Sequence, residues 1–340
     1  MSESKSFQVT VQPSGHTFSV NEDELILDAA LRQGIGFPYG CRGGACGTCL
    51  GTVVDGEVEY PKGMPLTVSE EDHKEGKAVF CVCTAKSDLK LEVKEISSSD
   101  EVEIKKLPAR VESLEKLSRD VMLMKLKLAE SERLAFYAGQ YIEFILKDNS
   151  RRAFSLANSP NDDSFLELHI RNIEGGSFTD HVFDEMKEKA IVRIEGPFGS
   201  FYVRDKSNRP LIFIAGGTGF APIKSMLEHL FDTSDTRVAH VYWGANEEAD
   251  LYQNELAETW AEKSNIYYVP VLSGDNNNDW QGKSGFVHET VLSDFPDLSG
   301  YDVYAAGPPP MIDAIKEAFA KQGLPEDQLF FDSFDFAERN

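Results

Sequence analysis

The sequence predicts a multidomain protein of three parts: a small α+β domain, an antiparallel β-barrel and a doubly wound parallel α/β domain. The 340 residues are enough for two or three domains of ordinary size. Strand-like runs dominate residues 107–205, whereas strands and helices alternate throughout 206–340. The polar stretch "SSSDEVEIKKLP" separates the first hundred residues from the remainder and predicts a linker at 98–106.

The first part, residues 1–97, begins with "FQVTVQPSGHTFSV", whose alternating apolar and polar residues predict a β-hairpin. Asn21 is a suitable N-cap for a helix that ends before Gly34. Asp55 and Gly56 predict the turn of a second hairpin. A last strand, "LKLEV", completes a compact α+β domain.

The second part contains runs such as "VMLMKLKL", "QYIEFIL", "RRAFSLA" and "FLELHIRNI", interrupted by one helix-like stretch at 179–188. Short strands at such spacing predict a barrel. The third part opens with the buried strand "LIFIAGGTG" and the helix "APIKSMLEHLF", and further strands and helices alternate after them. This alternation predicts a parallel sheet.

The formal net charge of −23 disfavours binding to nucleic acid or anionic lipid, since both are polyanions. The charge could steer a basic protein partner, or it could serve solubility alone. There is no run of 18 apolar residues, and the N-terminus lacks the apolar segment of a secretion signal. We therefore expect no membrane span and a cytoplasmic location.

All five cysteines lie in the first quarter of the chain, and an odd number without a secretion signal argues against a disulfide framework. Three of them form C-x4-C-x2-C, the spacing of a [2Fe–2S] site that has a more distant fourth cysteine. Interspersed glycines allow the backbone to wrap closely around a cluster. A four-cysteine zinc site is the alternative, although its second knuckle would be awkward. The cysteines are Cys41, Cys46, Cys49, Cys81 and Cys83.

The loop "CRGGACGTC" and the later "VFCVCTAKSDL" resemble plant-type ferredoxins, which implies a β-grasp fold for the first domain. In that comparison the fourth ligand stands six residues before the serine of the Ser-Asp-Leu turn. The resemblance therefore implies the ligand set Cys41, Cys46, Cys49 and Cys81. Cys83 is then expected to be a small buried apolar residue.

"RRAFSLAN" contains Arg152, Phe154 and Ser155, which resemble the R-x-Y/F-S motif of the ferredoxin–NADP reductase superfamily. The resemblance implies that Arg152 pairs with the flavin pyrophosphate, that Phe154 lies against the flavin, and that Ser155 approaches the flavin N5 as the catalytic residue. A guanidinium suits phosphate oxygens, and a hydroxyl can hydrogen-bond a ring nitrogen. Considered alone, such an arginine could belong to a surface salt bridge.

"LHIRNIEGGSFTDHVF" resembles the second flavin segment of that superfamily, although a glycine turn with an N-cap needs no ligand. The C-terminal "FFDSFDFAERN" places aromatic residues where the superfamily ends against the flavin, so Phe331 or Phe334 either covers the ring or belongs to the core. The cofactor-binding residues implied by the resemblance are His169, Arg171, Gly175, Gly176, Ser177, Thr179 and Phe334.

"LIFIAGGTGFAP" places a glycine-rich turn between a strand and a helix, where backbone amides can approach a pyrophosphate. Pro222 breaks the strict G-x-G-x-x-G pattern, but the segment resembles the superfamily's own GGTG-x-x-P. "YAAGPPPM" resembles its second nicotinamide motif, with Ala306 in place of the usual cysteine. The residues implied to bind the nucleotide are Gly216, Gly217, Thr218, Gly219, Gly307, Pro308 and Met311.

After the strand "HVYWGA" comes "NEEADLY", which offers carboxylates and no basic residue. Because a 2′-phosphate needs a nearby cation, NADH is predicted rather than NADPH. Glu247, Glu248 or Asp250 could contact ribose hydroxyls, with Glu247 the preferred residue. The alternative is that these acids only begin a solvated helix.

All three segments together resemble the single-component iron–sulfur flavoprotein NADH reductases, which implies FAD, a [2Fe–2S] cluster and NADH as substrate. The implied electron path runs from NADH to FAD, then to the cluster, then to a partner protein. "AGGTGFAPIKSM" and "SGFVHETVL" resemble members that reduce a pyridoxamine-phosphate-dependent CDP-deoxysugar dehydrase. The alternatives are an oxygenase partner (phenol, aromatic-ring or methane type) and a non-enzymatic iron–sulfur sensor.

Overall fold

The computed structural model describes residues 5–96, 102–263, 265–274 and 279–334. The chain divides into two compact units, Met1–Glu101 and Val102–Asn340. Residues 98–101 of the linker predicted at 98–106 lie outside the described residues. A strand begins at Lys105, within the predicted linker. Within the described ranges, every helix is too short or too polar to cross a membrane.

The first unit is a mixed five-stranded sheet with one main helix. The strand order is β2-β1-β7-β3-β5, in which β1 and β7 are parallel, while β4 and β6 pair separately. Helix α1 buries Ile26, Leu27, Ala29 and Ala30, as the predicted α+β domain requires. The elements are β1 (Ser6–Gln12), β2 (Thr17–Asn21), α1 (Ile26–Arg32), β3 (Leu50–Asp55), β4 (Val58–Glu59), α2 (Glu70–Lys74), β5 (Lys77–Val79), β6 (Thr84–Ala85) and β7 (Leu89–Glu92).

Two local predictions in this unit are wrong. Asn21 ends β2, where it pairs with Ser6, so it cannot cap a helix, and α1 begins only at Ile26. The second hairpin does not form, because β3 already has β7 and β5 on its two edges. Gly56 still makes a turn at φ +98°, but it directs the chain toward β6 instead of back along β3.

The first half of the second unit is the predicted antiparallel barrel, with strand order β11-β10-β13-β8-β9-β12. A bridge between Leu156 and Leu168 joins the two ends of that order and closes the barrel. The helix begins two residues before the predicted start, because Gly176 is its N-cap. The elements are β8 (Lys105–Lys116), β9 (Val121–Lys127), β10 (Tyr141–Ile145), β11 (Arg151–Ser155), β12 (Leu166–Arg171), α3 (Ser177–Asp184) and β13 (Ile191–Phe198).

The second half is the predicted parallel sheet, with order β17-β16-β15-β14-β18-β19. The order reverses between β14 and β18, and ligands bind at the carboxyl ends of strands at such a point. The elements are β14 (Leu211–Gly216), α4 (Phe220–Asp232), β15 (Ala239–Ala245), α5 (Asn254–Ala261), β16 (Ile266–Leu272), β17 (Lys283–Ser284), α6 (Val287–Asp294), β18 (Asp302–Gly307), α7 (Pro309–Lys321) and β19 (Leu329–Ser333).

Helix α4 ties the barrel to the sheet through buried polar contacts. The Lys224 ammonium lies 3.0 Å from Glu167 and 2.7 Å from Glu228, and it donates to the Ala157 carbonyl at 3.1 Å. Ser225 donates to the Asn158 carbonyl at 2.6 Å. Burial alone would raise the pKa of Glu167, but the hydrogen bond from His169 and the Lys224 charge lower it to about 2. These contacts hold the start of α4 beside the segment that follows β11.

Candidate functional site

The loop Cys41–Cys49 of the first unit, here called the cysteine loop, has a backbone conformation that depends on its glycines. Gly44 and Gly47 have φ +84° and +72°, and a Cβ at Gly44 would lie 3.0 Å from Val82. The amides of Gly43 and Cys46 both donate to the Cys41 sulfur at 3.4 Å. The loop thus directs backbone amides at sulfur, which is the environment that an anionic cluster needs.

The thiols of this loop associate in two pairs. A hydrogen bond from Cys41 is the main cause that lowers the pKa of Cys46 to about 5, and the pKa of Cys41 is raised in return. Cys49 is hydrogen-bonded to Cys81, which raises the pKa of Cys49. No three His, Cys, Asp or Glu side chains among the described residues surround a single ion position. Two thiol pairs would suit a centre with two metal ions, as in the predicted [2Fe–2S] cluster.

Cys83 differs from Cys81 although both are buried. Burial is the main cause that raises the pKa of Cys83, and Cys81 acts on it only through charge. The carbonyl of Cys83 accepts the amide of Ile26, which places this residue beneath α1. The thiol contacts therefore favour Cys81 as the fourth ligand.

Two adjacent arginines at the start of β11 have different surroundings. Arg151 is ion-paired with Glu143 at 2.6 Å and with Glu195 at 2.5 Å. Arg152 forms no ion pair with any residue that the structure describes, and it donates to the Arg151 carbonyl at 2.8 Å. Arg152 is thus the guanidinium available to a phosphate. Phe154 is half-buried, and its ring lies 5.6 Å from that of Phe178.

The turn before α3 presents backbone amides instead of side chains. Gly175 has φ +73°, and Gly176 caps the helix without a side-chain hydrogen bond. The Thr179 hydroxyl accepts the amide of Ile173, so it holds the turn together, whereas Ser177 is exposed. The first amides of α3 can therefore meet a phosphate group.

His169 and Arg171 lie on the side of the barrel that faces the parallel sheet. The His169 ring is fully buried between the Tyr252 hydroxyl, 3.0 Å from Nδ1, and Glu167, 3.3 Å from Nε2. Burial is the main cause that lowers the pKa of His169 from its usual value, although the neighbouring Glu167 opposes it. A Cβ added at Gly217 would lie 2.9 Å from Arg171 Nη1. Arg171 therefore approaches the glycine-rich loop Gly216–Gly219, which we call the nucleotide loop.

The glycines of the nucleotide loop are required by close packing. A Cβ at Gly219 would collide with the carbonyl of Ala306, and one at Gly216 would lie 2.6 Å from the Met311 sulfur. Trp243 donates to the Gly217 carbonyl at 3.0 Å and fixes the loop. Thr218, between the two outer glycines, is half-buried. The loop after β14 thus meets the Gly307–Met311 segment that follows β18.

The catalytic serine predicted from the sequence lies beside an acid that the sequence reasoning missed. Ser155 donates to Asp332 at 3.5 Å, and both residues are buried. Asp332 pairs in register with Ala306, and the Phe334 amide donates to the Gly307 carbonyl at 2.9 Å. Phe331 instead lies 4.2 Å from Lys316 on α7. Of Phe331 and Phe334, Phe334 is therefore the one that lies next to Gly307, close to Asp332 and Ser155.

The acidic segment after β15, residues 247–250, lies close to a basic residue of the barrel. The amide of Glu247 donates to Asp250 at 3.3 Å, and the Glu247 side chain accepts the amide of Asp250 in return. Arg119, from the turn between β8 and β9, lies 3.3 Å from Asp250 and 3.9 Å from Glu247. Sequence reasoning missed Arg119, because nothing in its own segment points to a nucleotide.

Three family models match successive parts of the chain. They describe a 2Fe-2S iron-sulfur cluster binding domain at residues 9–86, an oxidoreductase FAD-binding domain at 108–202 and an oxidoreductase NAD-binding domain at 213–317. The chain is also 41% identical to a CDP-6-deoxy-L-threo-D-glycero-4-hexulose-3-dehydrase reductase of Yersinia pestis, over 97% of this chain and 98% of that one. The chain belongs to the iron–sulfur flavoprotein reductases.

Other reductases of this family are similar over nearly the same length. The phenol hydroxylase P5 protein of Acinetobacter pittii is 36% identical, with 97% of this chain and 94% of that one covered. The crystal structure of a cytochrome P450 reductase from Amycolatopsis has a TM-score of 0.80 at 30% identity, with 96% and 98% covered. The chain is thus an NAD(P)H-dependent electron-transfer reductase with FAD and [2Fe–2S] cofactors, and its relatives pass electrons to dehydrase or oxygenase components.

In this reductase we expect Arg152→Ala to lose FAD, because Arg152, unlike Arg151, forms no ion pair with a carboxylate among the described residues and is therefore the guanidinium available to a phosphate. Charge-assisted hydrogen bonds of this kind contribute about 1.5–3 kcal/mol, which corresponds to a weakening of FAD binding by roughly 10- to 100-fold. The measurement is the FAD content of the purified protein and its FAD dissociation constant. Arg110→Ala is the control, since Arg110 lies on the same barrel and pairs with Glu112 at 2.7 Å. Equal FAD affinity in the two variants would contradict the assignment.

Proposed function

We propose that this reductase delivers electrons from NADH to a pyridoxamine-phosphate-dependent CDP-deoxysugar dehydrase. The observation that carries the proposal is the 41% identity to the dehydrase reductase across nearly the whole of both chains. The phenol hydroxylase component reaches 36% over a similar length, so an oxygenase partner is the second candidate. The absence of membrane-spanning helices among the described residues is compatible with the cytoplasmic location that we propose.

We assign the cofactors to parts of the chain as the sequence motifs indicate. The cluster belongs to residues 1–97, with Cys41, Cys46, Cys49 and Cys81 as ligands, and the linker predicted at 98–106 ends at residue 104, because β8 begins at Lys105. FAD belongs to residues 107–205 and the nicotinamide nucleotide to 206–340. When bound, the flavin accepts a hydride and releases electrons singly, and the cluster carries one electron at a time.

Within the second unit, we assign Ser155 to the reacting edge of the flavin. We assign Asp332 the role of positioning the Ser155 hydroxyl. The 3.5 Å separation of the two side chains, both buried, supports this pairing. Arg152 and the first amides of α3 are assigned to the flavin pyrophosphate. Because Phe334 is hydrogen-bonded to Gly307, we assign Phe334 to the place where flavin and nicotinamide meet.

The nicotinamide nucleotide is assigned to the carboxyl edge of the parallel sheet. We assign its diphosphate to the loop at residues 217–219, and we assign Arg171, which approaches Gly217, to the same diphosphate. Glu247 is assigned to the adenosine ribose, which supports NADH as the preferred donor. We thus reassign Arg171 from the flavin to the nicotinamide nucleotide.

The acceptor is tested by reconstitution of the purified reductase with each class of partner. Under the proposal, sustained anaerobic turnover of NADH, beyond the amount that reduces the bound flavin and cluster, requires the dehydrase together with its CDP-6-deoxy-4-hexulose substrate, and omission of either stops it. An oxygenase component with phenol serves as the comparison under identical conditions. Faster NADH oxidation with the oxygenase than with the dehydrase would reject the sugar pathway and support the second candidate. A non-enzymatic sensor would oxidise NADH with neither.

A further inference from the structure

Two arginines of the barrel line the carboxyl edge of the parallel sheet, next to successive strands. Arg171 approaches Gly217, which follows β14, and Arg119 approaches Glu247, which follows β15. Adjacent strands are about 4.8 Å apart, which is comparable to the span of one sugar of a nucleotide. If the diphosphate lies at Gly217, the adenosine ribose therefore reaches the neighbourhood of Arg119.

The backbone around Arg119 is fixed by contacts that do not involve its own guanidinium. The Ser118 hydroxyl bonds Asp120 at 3.1 Å, and the carbonyl of Asp120 accepts the amide of Asn172 at 2.7 Å. The Asp120 carboxylate also pairs with Arg171 at 2.9 Å. Asp120 thus links the backbone beside Arg119 to the Arg171 side chain.

The guanidinium of Arg119 itself is loosely held. Its side chain is 66% exposed, and the Glu247 side chain, 3.9 Å away, is 49% exposed. Ion pairs with such exposure contribute at most about 1 kcal/mol, so a stronger anion can replace one partner. Asp250, by contrast, is buried and keeps Arg119 near this edge at 3.3 Å.

We propose that Arg119 is a latent 2′-phosphate ligand at the adenosine ribose, and that the carboxylate of Glu247 suppresses this activity by pairing with Arg119 and repelling the phosphate. The proposal rests on the assigned nucleotide site. It makes Glu247 responsible for the choice between NADH and NADPH in two ways. A ribose hydroxyl can donate to Glu247, whereas a 2′-phosphate meets its negative charge.

The test is a double-mutant cycle of Arg119→Ala and Glu247→Gln, measured on fragments that need no hydride transfer. Calorimetry gives the affinities of 2′,5′-ADP and 5′-ADP for the FAD-loaded protein, and their ratio is the readout. Glutamine retains an oxygen that can accept the Asp250 amide, so the turn at Glu248–Asp250 is kept. Arg110→Ala, distant from the acidic segment in sequence and paired with Glu112, is the charge-matched control.

We expect Glu247→Gln to raise the preference for 2′,5′-ADP by about tenfold or more, as a charge-assisted hydrogen bond to phosphate would. Adding Arg119→Ala to Glu247→Gln should remove most of that gain, and the NADPH:NADH ratio of kcat/KM with ferricyanide should change in parallel. A gain that persists in the double variant would show that removal of the negative charge suffices, and would overturn the role of Arg119. No gain in Glu247→Gln would overturn the proposal as well.

Failure of the assigned nucleotide site gives a different result. In that case 5′-ADP would bind all variants alike, and Arg171→Ala would not weaken it. The two failures are therefore distinguishable.

Discussion

Cys81→Ala is expected to abolish the [2Fe–2S] cluster, whereas Cys83→Ala should retain it. The two residues are two positions apart and equally buried, with 2% and 0% of their surface exposed, so deletion of either sulfur leaves a comparable cavity. Only Cys81 contacts another thiol of the cysteine loop, through its hydrogen bond to Cys49. In the proposed ligand set, loss of the Cys81 thiolate would leave only Cys41, Cys46 and Cys49 to hold the cluster.

The measurement is iron per protein together with the EPR spectrum after reduction. In Cys81→Ala both signals should be absent and electron delivery to a protein acceptor should be lost, while NADH-driven reduction of ferricyanide, which needs only the flavin, continues. Cys83→Ala is the matched control for any effect of the cavity on folding. A full cluster in Cys81→Ala with a missing one in Cys83→Ala would reverse the ligand assignment.

Ser155→Ala is expected to slow reduction of the flavin by NADH by about 100-fold, the usual effect of removing a group that acts on a proton or a developing charge in the transition state. Ser155 is buried and lies 3.5 Å from Asp332, the side chain to which its hydroxyl can donate. The rate is measured by anaerobic stopped flow at saturating NADH. Because Arg152 and α3 hold the pyrophosphate in our assignment, FAD content should stay unchanged.

Asp332→Asn serves as the companion variant, because an amide oxygen still accepts the serine hydroxyl but carries no charge. If Asp332 only orients Ser155, this variant should keep most of the rate, and Asp332→Ala should lose most of it. A Ser155→Ala protein that reduces its flavin as fast as the wild type would remove Ser155 from the reaction. Loss of FAD from Ser155→Ala would indicate a structural role instead.

Motifs in which neighbouring residues act together could be predicted from the sequence. The cysteine loop and the nucleotide loop each depend on glycines a few residues apart, and both fold as short local units. Asn21 and Asp55 misled the prediction because each was interpreted by its nearest neighbours alone. In the structure, pairing with Ser6 holds Asn21 in β2, and β5 and β7 occupy both edges of β3.

The residues that sequence reasoning missed act across long separations. Asp332 reaches Ser155 only because β19 lies beside β18 in the sheet, and strand order is not visible in a local pattern. Arg119 reaches Glu247 only because the barrel packs on the sheet through Lys224 and its partners. One signal was available for Asp332: an acid that directly follows two aromatic residues in a strand-like run is costly to bury unless it has a partner.

The most direct test of the account is anaerobic addition of NADH to the purified protein, with flavin and cluster absorbance followed and an EPR spectrum recorded on the frozen product. We expect the flavin to be reduced and the spectrum of a reduced [2Fe–2S] cluster to develop without any added mediator. A flavin bleached by NADH beside a cluster that stays oxidised would contradict the path from flavin to cluster.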